Sequence, residues 1–573
     1  MKHRKIFKFA SFVLLSSLVA ASAACSSKTA TDPPGEASES DSGKPDPGEG
    51  SPSAALSETG GPLGKYDPAI TVTSFRADLG PAYKYGPEET IDNNVWTKAY
   101  EDTLGIKLKY DWVVPSEQYQ QKFGVAISSG ELPDVFDVDM KNLKLLADND
   151  MLADLTDVYE KYASPLTKSV IEGDGGLMLG TGKIGGKLVG IPETASMLDG
   201  ALVLWVRKDW LDKLNLPVPK TLDDVMKTAE AFVTQDPDGN GKADTFGIAI
   251  NKDAVGGSAI GVSDIAPIFY AFHAYPNGWI KDASGNLVNG TIQPEVKQAL
   301  AFLHEMYAKG LIDREFGVKD VNKVAESTTA GKVGMQFGAM WNSIFPLNSS
   351  KENPNDPADW IPVAPVSSDE KPVLSLVSSP VSNFHVVSKD FEHPEALIKM
   401  LNLWVENTVG PNADNYKFGT TTEGKEVFKM SMFRVWKPKQ NLESYQAVKA
   451  ALESRDPSGL NSTDKANYDH VIAYQGGSVK DWGYAAVFGP NGSQSILEEI
   501  DRNNLTMFNE FYGAPTQTMI DKTATLAKIQ TETFLKIIMG KAPVDDFDKF
   551  VAQWKQLGGD EITKEVNDWY KNK

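Results

Sequence analysis

The spacing of apolar and polar residues becomes regular at Ile70 and predicts alternating strands and helices from there on. Residues 70–75 read as a strand, and a helix follows through Val95, Ala99 and Tyr100 to a stop at Gly105. Ile106, Leu108, Tyr110 and Trp112 then alternate with polar neighbours, the period-two pattern of a half-buried strand. A second helix is expected over about 116–128, ended by Gly130, and residues 132–136 start a buried strand. Strand, helix, strand, helix, strand is the signature of an α/β layer on a mostly parallel sheet. Farther on, Thr221 is placed to cap a helix, with Asp224 completing a capping box. Leu222, Val225, Met226, Ala229 and Phe232 form that helix's apolar face. Phe547, Phe550, Val551 and Trp554 repeat the helical spacing, and Gly558-Gly559 is expected to stop that helix.

The chain has 573 residues, of which 41% are hydrophobic and 23% charged, so it holds two or three domains with real cores. A net charge of -20 excludes binding to nucleic acid through the surface field. With one cysteine there is no internal disulfide, and the six histidines lie scattered, away from zinc-ligand spacing.

The N-terminus predicts export. Lys2, Arg4, Lys5 and Lys8 precede a short apolar run at 9–20, and small residues follow at 21–24. That order is a secretory signal peptide, residues 1–24, too short to span a bilayer. Cys25 comes directly after the small residues, a placement that resembles a bacterial lipobox, although Ser22 stands where leucine is usual. Cys25 is therefore the expected lipidation site. Residues 25–65 are rich in Ser, Gly, Pro, Asp and Glu and read as a lipid-anchored disordered linker.

The segment Asp236-Pro237-Asp238-Gly239-Asn240-Gly241-Lys242-Ala243-Asp244 puts side-chain oxygens at loop positions one, three, five and nine. Gly241 takes position six, and the Lys242 carbonyl falls at seven, the spacing of an EF-hand-type calcium loop. Position twelve is Gly247, where an EF-hand carries a bidentate glutamate. A structural calcium ion held by Asp236, Asp238, Asn240, Lys242 and Asp244 is the expectation. Gly180-Thr181-Gly182-Lys183-Ile184-Gly185 matches G-x-G-x-x-G, but the following residues read as hairpin and strand, so it is assigned to a turn.

Of twelve tryptophans, Trp96, Trp404, Trp554 and Trp569 fall on amphipathic helices and are expected to be structural. Trp205, Trp279, Trp341 and Trp482 lie near strand ends or Gly-rich loops and are the candidate stacking surfaces of a ligand cleft, with Trp341 and Trp482 foremost. Glu193, after Ile191-Pro192, is a candidate polar partner in such a cleft. No G-x-S-x-G, H-E-x-x-H or P-loop occurs, and no catalytic residue is assigned.

Several segments together resemble bacterial extracellular solute-binding proteins of family 1, the sugar-binding group, and its alginate-oligosaccharide-binding-like branch in particular. They are Ser128-Ser129-Gly130-Glu131-Leu132-Pro133-Asp134-Val135, Gly186-Lys187-Leu188-Val189-Gly190-Ile191-Pro192 and Trp205-Val206-Arg207-Lys208-Asp209-Trp210. Gly331-Lys332-Val333-Gly334-Met335, His393-Pro394-Glu395-Ala396 and the stretch from Phe547 to Tyr570 complete the set. The resemblance implies a periplasmic-binding-protein-like α/β fold of two lobes joined by crossover hinge strands, with the ligand in the cleft between them. Lobe 1 is expected to take residues 66–195 and about 345–405, and lobe 2 residues 196–344 and about 406–573. An oligosaccharide ligand, a membrane ABC permease, a membrane tether, a monomeric state and a non-enzymatic role follow from the same likeness. In the alginate-binding relatives an acidic residue follows the ninth loop position, where this chain has Thr245. The alternative is a cell-tethered, secreted carbohydrate-active enzyme.

Overall fold

Ile70–Ala77 and Ile106–Val114 pair in parallel, with Ile70 opposite Ile106 and a bulge between Ser74 and Phe75. The computed structural model describes residues 60–572 except 81–82, 257–260, 355–356, 380, 382, 412 and 422–423. The helix joining these strands starts at an Asn94–Thr97 capping box, runs over Val95–Ala99 and closes in a π-helical turn, Tyr100–Leu104. Gly105 ends it at φ 67°, where a Cβ would lie 2.3 Å from the Tyr66 carbonyl oxygen, so only glycine fits this turn. The expected helix and strand at 116–136 appear as Ser116–Ser129 and Val135–Val138.

Val135–Val138 does not extend a parallel sheet. Its partner is Phe384–Val387, antiparallel, with Ile191–Pro192 on that strand's other side. A second sheet runs in the order Trp360–Val363, Val203–Arg207, Val333–Gly338, Phe246–Ile248, and only its last pair is parallel. The mostly parallel sheet expected from the opening pattern is therefore confined to the first two strands. Phe384–Val387 returns from a distant part of the chain and runs against Val135–Val138, which local periodicity does not reveal.

Apolar side chains gather into two bodies. One core draws on residues 66–191 and 384–435, the other on 198–373 and 442–566. The chain thus passes from one lobe to the other three times, at about 192–197, 374–383 and 436–441. The later boundaries differ from those expected. Trp360 is buried in the second core because its strand pairs with Val203–Arg207, so residues 345–373 belong to lobe 2. Met430, Phe433 and Val435 fill the first core beside Trp404, whose Nε1 donates to the Val435 carbonyl at 3.1 Å, so 406–435 belong to lobe 1.

Three further expectations meet the structure. Gly558-Gly559 stops the helix Asp546–Trp554 as expected: Gly558, at φ 129° in the turn Lys555–Gly559, is non-helical and kinks the chain before a second helix, Asp560–Lys571. The G-x-G-x-x-G segment is a short helix, Leu177–Thr181, running into the hairpin Lys183–Ile184 and Lys187–Leu188, as the turn assignment expects. Packing starts before Tyr66. Asn402 Nδ2 donates to the Pro62 carbonyl at 2.8 Å and Lys399 Nζ to that of Gly64 at 3.1 Å, so residues 62–65 are tied down and do not belong to a disordered linker. The signal segment 1–24, Cys25 and the rest of the linker as far as residue 59 lie outside the described residues. Among the described residues no helix is long and apolar enough to cross a membrane.

Candidate functional site

Two cavities flank the crossings. One, of about 480 Å³, lies in lobe 2, and the other, of about 310 Å³, lies in lobe 1. The crossings bind them together in sequence. Asp199 and Ser378 line the first, while Glu193 and Asn383, a few residues away on the same two crossings, line the second. The third crossing adds Arg434 to the lobe 1 cavity, and its Asn441 donates to Asp199 Oδ2 at 2.6 Å.

Trp341 is half-buried on the wall of the lobe 2 cavity. It sits on the turn Met340–Ser343, which follows strand Val333–Gly338. A network holds that turn in place. Asn342 Oδ1 accepts from Gln336 Nε2 at 2.9 Å, its Nδ2 donates to the Gly261 carbonyl at 2.8 Å, and Ser493 Oγ donates to the Met340 carbonyl at 2.8 Å. Gly338 must be glycine, since a Cβ there would stand 1.9 Å from Asn342 Oδ1. Phe269, Tyr270 and Phe534 add aromatic surface. Two carboxylates face this apolar wall. Burial pushes Asp264 up to about 6, against the opposing pull of the Ala266 N–H, which it accepts at 2.9 Å. Burial likewise pushes Asp199 up to about 6, against its bond from Asn441.

The lobe 1 cavity is more highly charged. Arg76 Nη2 donates to the Lys429 carbonyl at 2.7 Å, and Glu193 Oε2 accepts from Asn383 Nδ2 at 3.1 Å. Arg434 Nε lies 3.6 Å from Glu193 Oε1. Behind the wall His385, fully buried, holds Asp137 Oδ1 through Nδ1 at 2.5 Å, the two being register partners on adjacent strands. Burial works against charge on His385, but the Asp137 carboxylate outweighs it and raises the imidazole's pKa.

Of the five candidate ligand contacts, the structure places Trp341 on one cavity and Glu193 on the other. The remaining three are corrections. Trp205 lies in a strand buried on both faces, is 0% exposed, and donates from Nε1 to the Ala339 carbonyl at 3.2 Å. Trp279 packs into the main core of lobe 2 with Phe511. Trp482 opens the helix Trp482–Phe488 and is buried in the core beneath Trp341's turn. None of the three lines either of these two cavities. Reading a strand end or a Gly-rich loop as a cleft surface fails here because tertiary packing covers all three rings. Trp96, Trp404 and Trp554 are core residues as expected. Asp264, Asp199, Asn383 and Arg434 carry no local signal, since their neighbours follow no motif.

The loop at 236–244 folds on itself. Asp236 accepts from the Asn240 and Gly241 N–H groups at 3.1 and 3.0 Å, with Gly241 at φ 73°. Asn240 Nδ2 donates to Asp238 Oδ2 at 2.6 Å and to Asp244 Oδ1 at 3.1 Å. Burial and the neighbouring Asp236 carboxyl raise the pKa of Asp238. Like charges drawn together in this way suit a hard cation held by oxygen. The Lys242 side chain is exposed and only its carbonyl would serve. Gly247 lies within the strand Phe246–Ile248, where a Cβ would meet Ala229 Cβ at 2.5 Å, so the twelfth position has no room for a glutamate. Among the described residues no three Asp, Glu, His or Cys side chains stand together in metal-ligand geometry.

The sequence profile of the family described as bacterial extracellular solute-binding protein matches residues 85–411. The chain belongs to that family. This solute-binding protein is 24% identical over 491 residues to Lipoprotein LipO of Bacillus subtilis, covering 85% of this chain and 90% of LipO. It is 29% identical over 265 residues to the fructooligosaccharide ABC transporter substrate-binding protein FusA of Streptococcus pneumoniae, covering 44% of this chain and 47% of FusA. Among solved structures it resembles an HMO-binding, ABC-transporter-associated solute-binding protein of Bifidobacterium longum infantis. That likeness has a TM-score of 0.60 at 17% identity and covers 88% of this chain and 98% of the other. It bears on the fold alone.

Proposed function

We propose that this solute-binding protein captures an oligosaccharide between its two lobes and delivers it to an ABC permease, without chemical turnover. The observation that carries the reading is the pair of cavities at either side of three chain crossings, both lined by aromatic rings and both supplied with carboxylates. Pyranose and furanose C–H faces suit rings such as Trp341, and their hydroxyls suit carboxylate acceptors such as Asp264 and Glu193. Crossings of a few residues let lobes rotate while their cores stay intact, so ligand binding energy goes into closure. Saturating ligand from an oligosaccharide panel is expected to raise the melting temperature and shrink the radius of gyration, with the sugar recovered unshortened. Cleaved or unsaturated products would turn the reading toward a carbohydrate-active enzyme.

Two attachments belong to the proposal. Cys25 carries the lipid that holds the protein at the outer face of the membrane. Cys25→Ser is expected to move it to the soluble fraction, and continued membrane retention would overturn the anchor. Calcium occupies the 236–244 loop as a structural ion, held by Asp236, Asp238, Asn240, Asp244 and the Lys242 carbonyl. Chelator is expected to lower the melting temperature of the native chain, and Asp238→Ala to lower it as far with no further response to chelator. Melting that ignores chelator in a metal-free preparation would remove calcium from the account.

A further inference from the structure

Resting on the oligosaccharide reading, the charge balance of the two cavities narrows the ligand further. Six carboxylates line them: Asp199 and Asp264 in lobe 2, and Asp78, Asp137, Asp139 and Glu193 in lobe 1. Arg76 and Arg434 are the cationic side chains among the described lining residues.

Both guanidinium groups are already engaged. Arg76 is buried, with Nη2 on the Lys429 carbonyl, and Arg434 faces Glu193. The acids are less well matched. Asp137 has His385, but neither Asp199 nor Asp264 has a salt-bridge partner among the described residues. Asp199 accepts from Asn441, and Gln494 and Ser196 also stand beside its carboxylate. Sugar hydroxyls meet a cavity lined by such acids as donors, whereas a uronate carboxylate, which only accepts, adds a like charge.

We infer that the cleft selects an uncharged oligosaccharide and rejects uronate polymers. The acids act as hydroxyl acceptors, and the same acids exclude an anionic sugar by repulsion.

The test sets matched arms side by side on the purified protein at low salt. One arm holds fructo-, xylo-, gluco- and galacto-oligosaccharides and fully methyl-esterified oligogalacturonides, and the other holds free-acid oligogalacturonides and alginate oligomers of the same lengths. The best ligand is expected in the neutral arm, with every free acid at least about a hundredfold weaker, the scale set by like charges brought together. Salt should strengthen whatever binding the acids retain, by screening repulsion, and leave the neutral ligand nearly unchanged. Asp199→Asn with Asp264→Asn should narrow the gap between the arms by about tenfold or more. A free-acid oligosaccharide as the tightest ligand, or acid binding that weakens with salt, would overturn the charge selection and leave the carbohydrate reading standing. Binding in neither arm would overturn both.

Discussion

Trp341→Ala is expected to abolish most ligand affinity while leaving the fold intact. The ring stands half-buried on the lobe 2 cavity and its turn is fixed by Asn342 and Ser493, so truncation removes a stacking face without opening a core cavity. Loss of a central aromatic contact costs about 2 kcal/mol or more, at least about thirtyfold in Kd. Trp205→Ala should show the reverse order of effects. Its side chain is fully buried behind the same turn, and cutting a buried tryptophan to alanine costs about 3–5 kcal/mol of stability. Calorimetric titration and chemical denaturation of both variants separate the two roles. Normal binding by Trp341→Ala would remove that ring from the site.

The second large effect is a gain of stability at the expense of function. Asp264 has a folded pKa of about 6 against an ordinary 3.8, because burial disfavours its charge. Between those values the folded state binds more protons than the unfolded one, so stability falls as pH rises from about 4 to about 6 and stays low above. The shift corresponds to about 3 kcal/mol at neutral pH. Asp264→Asn keeps an oxygen for the Ala266 N–H and removes the buried charge. It should therefore stabilise the free protein at about pH 7.5 by up to about 3 kcal/mol, do little at about pH 4, and flatten the slope between. Binding should weaken about tenfold, since a hydroxyl bonded to a charged acceptor is worth about 1.5 kcal/mol or more. Urea titrations across that pH range check the first part and calorimetry the second. An unchanged pH slope would mean that Asp264 reaches water freely.

Both outcomes bear on what the sequence could reveal. The strands at Ile70–Ala77 and Ile106–Val114, the capped helix Leu222–Thr234 and the helix at Asp546–Trp554 were legible because each buries one periodic face. The lobe boundaries after residue 344 were not, because Trp360–Val363 and the 430–435 loop take sides through partners some 150 residues or more away or across a core. At the site, Trp341 and Glu193 stood out by residue type, and Trp205, Trp279 and Trp482 stood out equally without being there. A large ring near a strand end fills a core or faces a cleft according to what covers it, and that is settled by tertiary packing. Asp264 and Asp199 owe their character to burial, which no local spacing encodes.

The return of Phe384–Val387 to the middle of a sheet whose other strands lie before residue 193 sets the order in which this chain can become a protein. Until that strand has been synthesised, Val135–Val138 and Ile191–Pro192 have nothing between them, and the first core also lacks Trp404 and Phe433. The other body is no more independent, since its core closes with Phe534, Trp554 and Val566. Such interleaving raises the mean separation of contacting residues, which slows folding and prolongs the exposure of apolar surface. A chain halted at residue 380 would hold neither core complete and would be a substrate for proteases, and the second body still needs the helix Asp560–Lys571, whose Ile562 and Val566 enter its core.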